Sequence, residues 1–173
     1  MSILSDILAR KENELASLPD VAAKAAPGRS LRAAVLNACP SLIAEIKPVS
    51  PTGGRLVEER DIPAVVSLYS RYAQAISVLC DHATFGGGFD LLASVRQQTD
   101  LPILAKDFVV NRRQIDAAAM HGADAVLLIA ALLEPERLSR FASYAIGIGM
   151  DVLLEMHDLR EAKTVTALLA TLT

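Results

Sequence analysis

The chain has 173 residues, 52% of them hydrophobic, and a formal charge of −3, which is enough length for one compact domain with a sizeable core. An isoelectric point near 5.6 and the lack of any Lys/Arg cluster exclude the electrostatic footprint of a nucleic-acid or anionic-membrane partner. Cys39 and Cys80 are the only cysteines and have no CxxC spacing, so both read as buried free thiols and neither a disulfide framework nor a zinc site is expected.

The opening MSILSDILARKENELASLP carries charges every few residues. It lacks the apolar stretch of a signal peptide or membrane span, so a cytoplasmic location is expected. From Ser2 to Leu18, apolar residues at Ile3, Leu4, Ile7, Leu8, Leu15 and Leu18 recur with a helical period. They predict an amphipathic helix that ends before Pro19, with Ser2 or Ser5 as N-cap. Ala25 to Arg29 reads as a turn and Ser30 to Ala38 as a second short helix.

Beyond Pro40, short apolar runs recur at 42–47, 75–80, 102–107, 124–129 and 151–156, alternating with helix-like segments at 62–73, 90–98, 112–121 and 135–147. Strands that are continuously apolar are buried on both faces, which is the signature of parallel βα units. Gly122 and Gly149 precede the last two runs, as glycines do after helix ends, and Pro102 opens the third. The class is α/β, and both a doubly wound open sheet and a (β/α)8 TIM barrel fit.

Ionisable residues close three of the five runs. By the alternation of a strand, Glu45 and Lys47 share a face with Ile43, Lys106 with Leu104, and Glu155 with Leu153. The C-terminal edge of a parallel sheet is where ligands bind, and carboxylates converging there with ammonium groups can divide the work of accepting and donating protons. An ion-pair network that merely orders the mouth is the plainer alternative. The loop SPTGG after Lys47 has small residues that let backbone N–H groups approach an anion, with the Ser50 hydroxyl beside them, although it also reads as a plain turn. No GxGxxG or Walker pattern is present, so dinucleotide and nucleoside triphosphate binding lack support. His82, His121 and His157 are too far apart in sequence to pair on one helix face, and no metal site is expected.

AEIKPVSPTGG, AISVLCDHATFGGGFDLL, LPILAKDFVVNRRQIDAAAMHGADAVLLIAALL and GMDVLLEMHDLREA together resemble the indole-3-glycerol phosphate synthase family of tryptophan biosynthesis. The most specific element is Lys-Asp-Phe with its downstream Gln-Ile and Gly-Ala-Asp. The resemblance implies a TIM barrel with a helical N-terminal extension, here residues 1–40, followed by βα units over 41–173. It implies a carboxy-lyase that closes, decarboxylates and dehydrates 1-(2-carboxyphenylamino)-1-deoxyribulose 5-phosphate, with no cofactor and no metal. Carried over by position, Lys106 is the general acid of ring closure and Glu155 the acid/base of dehydration. Glu45 and Lys47 form the charged pair that orders the site, with Ser50 beside it. Phe85, Phe108 and Leu127 line the pocket for the aromatic ring, although each also reads as an ordinary packing residue.

The resemblance is expected to end near Ala162. The family's sixth to eighth strands, with their Asn, Arg and phosphate-binding loops, have no counterpart in KTVTALLATLT. The expected structure is therefore an incomplete, C-terminally truncated barrel of about five parallel strands, open beside the first and fifth. Such a site would lose positioning and electrostatic stabilisation. The alternative to a synthase acting on a phosphorylated small molecule is a non-catalytic module that self-associates, or is completed by a partner chain, through those open edges.

Overall fold

A computed structural model describes residues 3–15, 18 and 28–170. Helix α1 spans Ile3–Glu14 and α2 spans Leu31–Leu36. The Pro19 stop and most of the Ala25–Arg29 turn lie outside the described residues. Five parallel strands follow: β1 (Ile43–Ile46), β4 (Ala75–Leu79), β5 (Ile103–Lys106), β6 (Ala125–Ile129) and β7 (Asp151–Glu155). They lie in the spatial order β1-β4-β5-β6-β7, so each strand neighbours the next one in sequence, as in a barrel wall. Helices α3 (Ile62–Tyr72), α5 (Phe89–Arg96), α6 (Arg112–Met120) and α7 (Pro135–Gly147) make the crossovers, and α8 (Leu159–Leu169) follows β7. These elements match the expected runs to within a residue or two.

Three short elements were not legible in the apolar pattern. Residues Val49–Ser50 (β2) and Gly54–Arg55 (β3) form an antiparallel hairpin, and His82–Phe85 (α4) makes a single helical turn. Cys39 is exposed and only Cys80 is buried. The expectation of two buried thiols fails for Cys39 because it lies in the turn after α2, away from the sheet.

Burial follows position in the sheet. Every residue of β4 and β6 is buried, whereas β7 has none buried and β1 begins exposed. The outer face packs Ile76, Val78, Ile103, Val126 and Leu128 against Val66, Leu92, Ile115 and Leu138 of the helices. At roughly 1.5–3 kcal/mol per fully buried aliphatic side chain, this layer dominates the folding drive. The inner face carries a smaller cluster of Ala75, Leu104, Ala125, Leu127 and Ile129, which Leu31 of α2 joins. Helix α2 is fixed at the N-terminal end of β7, where the Asp151 carboxylate accepts from the Ser30 hydroxyl at 2.8 Å and the Arg32 N–H at 2.9 Å.

Candidate active site

Parallel pairing aligns the C-terminal ends of the strands, with Leu79 opposite Lys106 and Ile129 opposite Glu155. Above them is a cavity of about 260 Å³ lined by Glu45, Lys47, Lys106 and Glu155, by Phe85, Phe108 and Leu127, and by Leu79, Asp81, Asp107 and Ile129. Seven of the eight residues singled out in the sequence meet here. Ser50 is not among the lining residues. Its hydroxyl instead accepts from the Gly53 N–H at 3.3 Å and lies 3.3 Å from the Thr52 hydroxyl, closing its own hairpin turn.

Glu45 is the hinge of the charge arrangement. One carboxylate oxygen lies 3.0 Å from Lys47 Nζ and the other 3.0 Å from Lys106 Nζ. Burial favours the neutral acid, but hydrogen bonds and charge from both lysines outweigh it and hold the Glu45 carboxyl below its ordinary range. One anion thus keeps two cations side by side in the same mouth, where both can meet an anionic ligand. Glu155 faces the cavity from the far edge, with His157 Nε2 at 3.1 Å from its Oε1.

Phe85 and Phe108 stack with centroids 6.3 Å apart, and the loops that carry them are tightly specified. After β4, Asp81 caps α4 by accepting from the Thr84 N–H at 2.9 Å. The chain then folds back so closely that a Cβ on Gly87 would sit 1.9 Å from the Leu79 carbonyl oxygen. This steric demand explains one glycine of the GGG run. After β5, Gln114 is buried and makes four hydrogen bonds. Its Oε1 accepts from the Val110 and Asn111 N–H groups at 2.9 and 3.1 Å, and its Nε2 donates to Asp107 and to the Phe108 carbonyl, each at 2.9 Å. The specificity of Lys-Asp-Phe with a downstream Gln therefore has a physical cause, because that glutamine ties the loop together.

Four charged residues at the mouth were missed in the sequence. Lys11 of α1 reaches Asp107 at 2.7 Å, Asp81 at 2.9 Å and Glu14 at 2.9 Å. Arg10 donates to Asp81 at 3.1 Å and to the Thr84 hydroxyl at 2.7 Å. The side chains of Lys11, Asp81 and Asp107 are 3%, 0% and 3% exposed. Burial disfavours the Lys11 charge, yet Asp107 with Glu14 and Asp81 pushes its pKa above the ordinary lysine range. Burial likewise disfavours ionised Asp81, but Lys11 and Thr84 hold its carboxyl below the usual value. The signal in the sequence was an aspartate within two residues of the end of each of two adjacent strands. Helix α1 therefore sits over the C-terminal ends of β4 and β5.

The family model for indole-3-glycerol phosphate synthase matches residues 4–173. The chain belongs to the indole-3-glycerol phosphate synthase family. Members similar to it include the synthase of Desulfotalea psychrophila, 41% identical over 95% of this chain and 68% of the relative. The synthase of Exiguobacterium sibiricum is 39% identical over 94% and 65%, and that of Neisseria meningitidis serogroup B is 40% identical over 90% and 65%. The chain thus spans about two thirds of the length of these curated relatives. Among solved structures, a probable mandelate racemase from Alicyclobacillus acidocaldarius aligns over 100% of this chain and 45% of its own, with a TM-score of 0.55 and 19% identity, a likeness of fold alone. The match to the synthase family continues through α8 to residue 173, past the Ala162 at which the resemblance was expected to stop. Within that stretch α8 buries Val165 and Leu168.

Proposed function

We propose that this chain carries the acid–base side of an indole-3-glycerol phosphate synthase site, acting without a cofactor and in the cytoplasm on 1-(2-carboxyphenylamino)-1-deoxyribulose 5-phosphate. The observation that supports this reading is the Glu45 carboxylate held between Lys47 and Lys106 in a cavity that also holds Glu155 and the stacked phenylalanines. Lys106 donates a proton to the substrate ketone oxygen as the carboxylate-bearing ring carbon attacks the ketone carbon. The new carbon–carbon bond forms, and the electron pair of the carbonyl takes up the proton. Carbon dioxide then leaves and returns its bonding pair to the ring. Glu155 manages the protons as the hydroxyl departs as water. Lys47 meets the substrate carboxylate, Phe85, Phe108 and Leu127 bound the aromatic ring, and the Ser50 hairpin stands beside Lys47.

The test is product fluorescence with the 173-residue chain. Weak turnover is expected, because a mouth open beside β1 and β7 loses positioning and electrostatic stabilisation, with Lys106→Ala lowering kcat about 10²–10⁴-fold further. Absence of turnover, or a Lys106→Ala chain that keeps it, overturns the reading.

The open edges favour a second reading, an assembly module. An apolar groove runs between Ile43 of β1 and Leu153 of β7 and is bounded by Leu31, Leu36, Ile146 and Leu169. Unpaired strand edges beside such a groove invite a second copy, or a chain carrying further strands. Sedimentation that stays monomeric at all concentrations, in a chain that turns over alone, would remove this reading.

A further inference from the structure

One buried charge cluster takes no part in that chemistry. Lys11 is 2% exposed, and its ammonium has three carboxylate partners for its three donor hydrogens. Burying an ion is expensive, and an apolar side chain would fasten α1 to the sheet at lower cost. What a charge adds is direction. Asp107 is the group it directs: Oδ1 accepts from Lys11 and from the Phe108 N–H at 2.9 Å, while Oδ2 accepts from Gln114 at 2.9 Å.

Asp107 directly follows β5 between Lys106 and Phe108, and all three line the cavity. Clamping the Asp107 carboxylate therefore fixes the backbone from which Lys106 reaches Glu45 at 3.0 Å and Phe108 reaches Phe85. We propose that Lys11 is a positioning residue for the catalytic face, acting through Asp107 to aim Lys106 and Phe108. Helix α1 is then part of the active-site machinery. The inference rests on the reading of Lys106 given above, but its geometry can be measured without turnover.

The test is reductive methylation of the full 173-residue chain with formaldehyde and cyanoborohydride at low conversion, read at each lysine by mass spectrometry. In Lys11→Met the Lys106 rate should change by about threefold or more relative to Lys47 and Lys163, and Lys11→Arg should restore it. An unchanged Lys106 rate in a variant with wild-type circular dichroism overturns the proposal. Because Lys11→Met strands buried carboxylates and can unfold the chain, the charge-balanced pair Lys11→Met/Asp107→Asn is measured alongside it under the same two criteria. In a chain that turns over, kcat should fall about tenfold or more with KM little changed. An inactive wild-type chain sinks the catalytic reading alone, and the Lys106 labelling then decides the positioning role.

Discussion

The two sides of the mouth solve the placement of charge in opposite ways. Under α1, at the ends of β4 and β5, Lys11, Asp81 and Asp107 are dry and every one is paired. Across the mouth, Glu45 and Lys47 of the β1 side keep side-chain exposures of 30% and 33%, and Glu155 of β7 keeps 37%. The first arrangement is rigid because each ion depends on its partners. The second leaves its ions free to exchange partners with a ligand. The same contrast runs through the strands, since buried β4 and β6 lie inside the sheet while β1 and β7 are its open margins.

The sharpest way to break this comparison is at Lys11. Removing one member of a buried ion pair should cost about 3–5 kcal/mol, so Lys11→Met should lower the urea midpoint strongly, or leave no folded baseline. A wild-type midpoint would show that the cluster does not hold α1. Next is strand position. Ile76→Ala in β4, at a fully buried site, should cost about 2–5 kcal/mol in urea unfolding. Leu153→Ala in β7, at a residue 39% exposed, should cost clearly less. Equal losses would mean that the margin is as tightly packed as the centre.

Acid titration separates two of the buried aspartates, Asp81 and Asp124. Asp81 has a folded pKa below its ordinary 3.8, so its contribution is present above that value and is lost as pH falls through the folded one. Asp124 is raised by burial, despite Arg96 at 2.8 Å, and so works in the opposite sense. Lys11, raised, contributes fully below its ordinary 10.5 and loses nothing on the acid side. Asp81→Asn should therefore flatten the fall of the urea midpoint with acid, and Asp124→Asn should steepen it. The smallest effect is at Lys47. Its half-exposed pair with Glu45 is worth about 0–1 kcal/mol, so Lys47→Met should leave thermal unfolding nearly unchanged. A large loss there would make the open side of the mouth structural.

The five strands were legible because burial on both faces writes an unbroken apolar run, and the strand-end charges stood out against it. The Lys11 cluster was not legible. A lysine in an amphipathic helix looks like a solvated residue, and its neighbour Arg10 pairs with Asp81 across 71 positions of sequence. Asp107 was overshadowed by Lys106, its neighbour in sequence, which lines the same cavity. The β2–β3 hairpin and α4 escaped because two-residue strands and single turns carry no period. SPTGG read both as an anion-binding loop and as a plain turn, and the Gly53 N–H donated to the Ser50 hydroxyl fits the turn.

Gln114 and Asp107 have a kinetic consequence. The Val110 and Asn111 amide hydrogens are held by Gln114 Oε1, Gln114 holds Asp107, and Asp107 holds Lys11. Solvent can reach those two amides only when the chain of bonds lets go. Helix α1 and the loop after β5, nearly a hundred residues apart in sequence, should therefore open as one cooperative unit, with matching hydrogen-exchange free energies.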